Sequence, residues 1–384
     1  MNRRVIYLDN NATTRALPEV RDAVARTLDD GFGNPSSAHS TGEQARRALA
    51  RARRSVADLI GAPAENVFFT SSGTEANNTV LCSVGAKSGK TACVVTSSIE
   101  HSSILKCCEH LRSADIEVVE LAPTGAGWLD PAAVREMVMR RRPTLVSLQW
   151  VNNETGVIQP LAEIARICRE YEVPLHTDAA QAVGKLAVDV GTLDLDYLTF
   201  TAHKFHGPPG VGVVYARQPT TLRPLLYGGD QERGLRPGTE NFPGIVGAGV
   251  AAGLRTARLP ALAPRLAALR DEFEQHLIET LSGVTVNGER MQRVCNTTNL
   301  RFGTLDGQAL MARLDAVNVR CSQSSACTSA RPEPSHVLRA MGLSEDEAYA
   351  SVRFSFSELN SPDEVAEATA RIEEVVEQLT SVFA

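Results

Sequence analysis

Between residues 66 and 215, short and nearly continuous apolar runs alternate with stretches of helical periodicity. The runs Val67–Phe69, Ala92–Val95, Ile116–Leu121, Leu145–Val151, Val173–His176, Leu195–Phe200 and Val211–Tyr215 read as strands. Glu75–Val84, Ser102–Leu111, Pro131–Arg141 and Leu161–Tyr171 read as the helices between them. Strands apolar on both faces and separated by helices predict a mostly parallel sheet covered by helices, an α/β fold.

Upstream, Val5–Leu8 predicts a short strand ending in the polar turn Asp9–Thr14. A second turn, Gly33-Asn34-Pro35-Ser36-Ser37, leads to a helix from Thr41 to Ile60 with Gly61 as its stop. Ala45, Leu49, Ala52, Val56 and Leu59 give that helix one apolar stripe. Downstream, residues 216–245 are Gly/Pro-rich and irregular, and a helix follows from Ile245 to Ser282 with a break expected near Pro260–Pro264. The remainder predicts an α+β unit: strands Asn299–Phe302 and Val352–Phe356, a helix Gly307–Asp315, and a terminal helix opened by Ser361-Pro362-Asp363-Glu364. The expected division is a large domain, 16–255, and a small one built from 1–15 and 256–384.

Composition narrows the classes. The chain has 384 residues, 43% hydrophobic and 22% charged, enough for one large domain and a smaller one. The formal charge of −6 points to neither nucleic acid nor membrane. Five arginines on the Thr41–Ile60 helix (46, 47, 51, 53, 54) have no aromatic or flexible basic companion and read as a solvated face. The first residues carry only a four-residue apolar run before Asp9, so neither a signal peptide nor an anchor is expected. The eight cysteines lack the spacing of a disulfide framework, and a reduced, cytoplasmic protein is expected. The His101/Cys107/Cys108/His110 group lacks a Cys-x-x-Cys frame, and no metal site is expected.

The chemistry gathers at the ends of predicted strands. Thr201-Ala202-His203-Lys204 follows the run Leu195–Phe200, and a lysine kept from open solvent loses its proton more readily, as a Schiff-base nucleophile must. Ser71-Ser72-Gly73-Thr74-Glu75 follows a strand and opens a helix, which suits a phosphate. His176-Thr177-Asp178 ends in an acid for which a cationic partner is expected. Glu100-His101 and Asn152-Asn153-Glu154 end two more strands. A lysine, an acid, a histidine, amides and a phosphate turn form the set that pyridoxal phosphate needs, with Asp178 keeping the pyridine nitrogen protonated.

These segments, together with Leu8–Thr14, Gly33–Ser37, Asp178–Gln181 and Ser325-Ala326-Cys327-Thr328, resemble in order the fold type I pyridoxal-phosphate enzymes, specifically the NifS/IscS class of cysteine desulfurases. The resemblance runs from about residue 5 to the C-terminus. It implies a large domain with a mostly parallel seven-stranded sheet and a smaller α+β C-terminal domain. It implies that Lys204 carries the cofactor, Asp178 pairs with the ring nitrogen, His101 stacks on the ring, and Gln181 and Asn153 contact the ring hydroxyl. Gly73, Thr74, Thr201 and His203 would hold the phosphate, joined in a homodimer by Thr239 of the partner subunit. Arg353, with Asn11 and Asn153, would bind the substrate L-cysteine, Arg353 gripping its carboxylate. Cys327 would take the sulfur as a persulfide and pass it to an acceptor protein.

Two departures stand out. The family's frequent Ser-Gly-Ser-Ala-Cys is here Ser322-Gln323-Ser324-Ser325-Ala326-Cys327, a variant that resembles the DndA desulfurases of DNA phosphorothioation. That sets sulfur supply to DNA modification beside iron–sulfur assembly. After Arg353, Ser357-Glu358 replaces a frequent Gly-Arg, reversing a charge. Other fold type I chemistries, selenocysteine lyase or aminotransferase, stay open, as does a sulfur-transfer scaffold without turnover.

Overall fold

The computed structural model describes residues 4–88, 92–323 and 334–383. The elements run β1 (Ile6–Tyr7), α1 (Pro18–Asp29), α2 (Ser40–Leu59), β2 (Val67–Thr70), α3 (Gly73–Ser88), β3 (Cys93–Ser97), α4 (Ser102–Ser113), β4 (Glu117–Leu121) and α5 (Pro131–Arg141). There follow β5 (Leu145–Gln149), α6 (Leu161–Glu170), β6 (Leu175–Asp178), β7 (Tyr197–Thr201), β8 (Gly212–Ala216) and α7 (Phe242–Thr280). The chain closes with β9 (Val284–Val286), β10 (Thr297–Phe302), α8 (Gly307–Ala316), β11 (Val319–Arg320), α9 (His336–Ala340), α10 (Glu345–Tyr349), β12 (Ser351–Ser355) and α11 (Pro362–Phe383).

All seven expected strands pair into one sheet of order β2-β8-β7-β6-β5-β3-β4. The five strands from β7 to β4 are parallel, β8 runs antiparallel to them, and the edge strand β2, antiparallel to β8, points the same way as the five. Each strand of the sheet except β4 is buried almost throughout, as apolar runs without alternation require. Parallel strands all end on the same side, so the turns after β3, β5, β6 and β7 converge. A second, antiparallel sheet, β12-β10-β9, belongs to the C-terminal unit, and β1 pairs in parallel with β11.

Two elements differ from expectation. The long helix α7 runs unbroken from Phe242 to Thr280 through both Pro260 and Pro264. It packs on α1 and α2 in one part and on α11 in another, and this support outweighs the two lost N–H donors. Among the five arginines of α2, four are exposed, but Arg53 turns inward, pairs with Glu232 at 2.6 Å and stacks over Phe69. At the end of α11's entry, Ser361 and Glu364 exchange the reciprocal bonds of a capping box, both 3.2 Å. No described helix is long and apolar enough to cross a membrane.

Candidate active site

The converging strand ends enclose a cavity of about 290 Å³. Asn11, Gly73, Thr74, His101, Asn153, Asp178, Gln181, Thr201, His203, Lys204 and Arg353 all line it. These are the residues singled out above, apart from Thr239 and Cys327. Thr239 faces a neighbouring cavity of about 160 Å³ beside Arg236 and Glu240. Cys327 lies outside the described residues.

Lys204 ends a single helical turn directly after β7. Its Nζ donates to the carbonyl oxygens of Asn11 at 2.7 Å and Ala12 at 2.8 Å, so the N-terminal segment holds the amine at the cavity wall. His203 beside it is pushed down to about 4, by burial first and by the Lys204 charge second. The turn opening α3 lies across from it. Glu75 N donates to Ser72 Oγ at 3.1 Å and Ala76 N to Ser72 O at 3.0 Å, while Ser72, Gly73 and Thr74 at the start of α3 line the cavity. Gly212 is needed beneath that turn, since a Cβ there would sit 2.1 Å from Ser72 O.

Asp178 ends β6, 8% exposed. Its Oδ2 accepts from Asn77 Nδ2 at 2.8 Å and its Oδ1 from Ala180 N at 3.0 Å. Both partners are neutral amides, so among the described residues the chain itself brings no cation to Asp178, and its expected cationic partner remains the ring nitrogen of the cofactor. Behind it runs a chain of hydrogen bonds. Thr199 Oγ1 donates to Asn77 Oδ1, so His176 Nε2–H must donate to Thr199 at 3.0 Å, and His176 Nδ1 accepts from Ser147 Oγ at 2.8 Å. This leaves His176 neutral, and burial accordingly pushes it down to about 4. His101 caps α4, its Nδ1 accepting from Ser103 N at 3.1 Å, and burial holds its pKa below the usual histidine value.

Arg353, central in β12, is 2% exposed. It donates to Asp9 Oδ1 at 2.6 Å and to Asn153 O at 3.0 Å, while its Nε is buried without an acceptor among the described residues. A guanidinium with donors to spare at the cavity wall suits a carboxylate. The segment that carries Cys327 leaves this same rim, because Ser322 forms a bridge with Arg353. It returns at Ser335 and His336, which donate to Glu154 Oε2 and, at 3.0 Å, to the Glu100 carbonyl. Glu358 turns away from Arg353 and pairs with Arg255 at 2.7 Å and Arg258 at 3.1 Å, so the reversed charge is compensated within the chain.

Two residues were not visible as site members. Asn77 lies just beyond the phosphate turn inside α3, and Lys185 is a single lysine after Val183-Gly184; neither carries a local signal. Their partners lie far along the chain, 101 residues for Asn77–Asp178 and 174 for Lys185–Asn11.

The donor set fits pyridoxal phosphate. A buried carboxylate with no cation beside it, a lysine amine across the cavity and a helix N-terminus match a protonated ring nitrogen, an aldehyde and a phosphate. Residues 6–367 match the class-V aminotransferases, and the chain belongs to that family of pyridoxal-phosphate enzymes. Within it the chain falls among the cysteine desulfurases: it is 40% identical over 378 residues to the cysteine desulfurase of Trichormus azollae, covering 98% of this chain and 94% of that one. A solved NifS-like protein superposes with a TM-score of 0.92 at 33% identity, covering 98% of this chain and all of that one. DndA from Streptomyces lividans superposes with a TM-score of 0.77 at 38% identity, over 91% of this chain and 99% of that one.

Proposed function

We propose that this cysteine desulfurase removes sulfur from L-cysteine through the Lys204–Asp178–Arg353 cavity and deposits it on Cys327, releasing L-alanine. The observation that carries the residue assignment is the pairing of a buried, cation-free Asp178 with the Lys204 amine in one cavity. Pyridoxal phosphate bound there supplies a protonated pyridine ring that draws electrons from the substrate's Cα.

The chain supplies the rest. Asp178, fixed by Asn77 and the Ala180 N–H, holds the proton on the ring nitrogen. Gly73, Thr74, Thr201 and His203 hold the phosphate at the start of α3, with Thr239 of the partner subunit completing it in a homodimer. His101 covers the ring, and Gln181 and Asn153 hold the ring oxygen. Arg353, with Asn11 and Asn153, anchors the substrate carboxylate and sets the Cα–H toward Lys204 Nζ, which takes that proton and returns it. Cys327 Sγ, as thiolate, attacks the substrate sulfur. The S–S bond that forms keeps the sulfur on the protein, and the carbon–sulfur electron pair stays with the substrate carbon, which is protonated to alanine. The persulfide then passes to an acceptor protein in the cytoplasm, for iron–sulfur clusters or for DNA phosphorothioation.

Mass spectrometry of the holoenzyme after L-cysteine and before reductant is the test: about 32 Da, one sulfur atom, is expected on the Cys327 peptide. Sulfur confined to Cys107, Cys108 or Cys321, or undiminished alanine from Cys327→Ser, overturns the assignment. Genuine aminotransferase chemistry would instead consume L-cysteine without releasing sulfide or alanine.

A further inference from the structure

Behind the cavity wall lies a second lysine to which the reading above gives no task. Lys185 is 7% exposed, and its Nζ donates to Asn11 Oδ1 at 2.8 Å and to Gln181 Oε1. Both acceptors belong to residues that line the cavity. Asn11 ties in further groups: its carbonyl oxygen accepts from Lys204 Nζ at 2.7 Å and Gln181 Nε2 at 3.0 Å, and its Nδ2 donates to Thr297 Oγ1 at 2.9 Å and Asn153 O at 3.1 Å.

The chemistry of the ammonium group decides how this knot is oriented. A lysine ammonium has three hydrogens to give and no lone pair. Set between two carboxamides, it requires the oxygen of each to face it, so both NH₂ groups must point away. Without the lysine, the orientation of the Gln181 carboxamide would rest on its single bond to the Asn11 carbonyl, because the two ends of the group differ little in size. For Gln181, one Nε2 hydrogen goes to Asn11 O, the other has no partner among the described residues, and the residue lines the cavity. Burial pulls Lys185 down to about 7, but even the neutral amine keeps two hydrogens, one for each amide oxygen.

We propose that Lys185 is a positioning residue that locks the Gln181 carboxamide with its N–H edge toward the cavity, so that the site receives the cofactor's ring oxygen as an anion. This rests on the assignment of Gln181 to that oxygen. The lock adds no contact of its own to the cofactor; it removes the orientation in which Gln181 would turn an acceptor toward an anionic oxygen and repel it.

The test uses holoenzyme and the pH titration of the bound cofactor's visible absorption band, with cofactor dissociation measured alongside. Lys185→Met is expected to move the band's midpoint upward by about one pH unit, the size of one lost hydrogen bond to a charged oxygen, and to weaken cofactor binding about tenfold. Lys185→Arg, also a pure donor, is expected to restore both. If Lys185→Met does not fold, Lys185→Gln serves, because its amide both donates and accepts and so fixes neither neighbour. In a Gln181→Leu background the Lys185 substitution is expected to add nothing. An equal shift in both backgrounds means the lysine charge acts directly and overturns the lock, as does an unchanged midpoint in Lys185→Met when Gln181→Leu alone moves it. An unchanged midpoint in Gln181→Leu itself fails the ring assignment, and the lock with it, a result distinguishable from the other two.

Discussion

Ser322 and Arg353 face each other across an antiparallel bridge and exchange both backbone hydrogen bonds, Ser322 N to Arg353 O at 3.2 Å and Arg353 N to Ser322 O at 2.6 Å. The residue that opens the approach to Cys327 is thereby joined to the residue proposed to grip the substrate. Ser322→Pro removes one of these donors without touching the cavity wall. Persulfide formation and alanine release are expected to fall at least tenfold while the visible absorbance of the bound cofactor stays. Loss of the absorbance together with the activity would show that the bridge supports the cavity instead.

Arg353→Lys keeps the charge but not the two-pronged fork, and it also gives up one of the bonds to Asp9 and Asn153 O. One charge-assisted hydrogen bond is worth about 2 kcal/mol. A rise of roughly 30-fold in the KM for L-cysteine is therefore expected, with kcat less affected, read from steady-state alanine production. An unchanged KM would remove Arg353 from substrate binding.

Asn77→Ala leaves Asp178 Oδ2 and Thr199 without their partner in a buried place. The expected cost is about 1–3 kcal/mol of stability, from denaturant unfolding, with at least a tenfold loss of cofactor affinity. Asn77→Asp places a second acid against Asp178 and is expected to be worse on both counts. Wild-type affinity in Asn77→Ala would show that Asp178 needs no support from α3.

His176, His203 and His206 are all held near 4, with burial the first cause for each. A depressed histidine contributes stability that is complete above its unfolded value of about 6.5 and is lost as pH falls through the folded value. The protein is thus expected to lose stability steeply between about pH 6.5 and 4, by up to roughly 3 kcal/mol for the fully buried His176. His176→Gln should flatten that limb by about one proton, as measured by unfolding midpoints across the range. Identical limbs would mean that His176 is charged in the folded state.

The fold was legible where burial leaves a one-sided mark. Six of the sheet's seven strands are apolar on both faces and could only pack inside a helix-covered sheet, and strand ends located Lys204, Asp178 and His101. The helix α1 escaped notice because its buried positions, Val20, Ala23 and Thr27, are small or polar and make a faint stripe. Pro260 and Pro264 announced a break that the packing of α7 against other helices overrides. The acid Asp178 was legible at the end of its strand, but the amides that orient it, Asn77 Nδ2 and Ala180 N, were not. Lys185 was illegible for a plainer reason: its meaning lies in Asn11, which no local pattern connects to it.

The N-terminal segment is woven into the end of the chain: β1 lies against β11, Asn11 N donates to Ser355 Oγ at 2.9 Å, and Asn10 Nδ2 donates to Ser355 O at 2.8 Å. During synthesis the ribosome therefore delivers Asn11, which steadies Lys204, 344 residues before Ser355, which steadies Asn11. A nascent chain can assemble the parallel sheet and still have no finished place for a cofactor. Loading must wait for Ser355, and a premature stop before β11 would leave a protein with its lysine, its acid and its sheet, but with no floor beneath them.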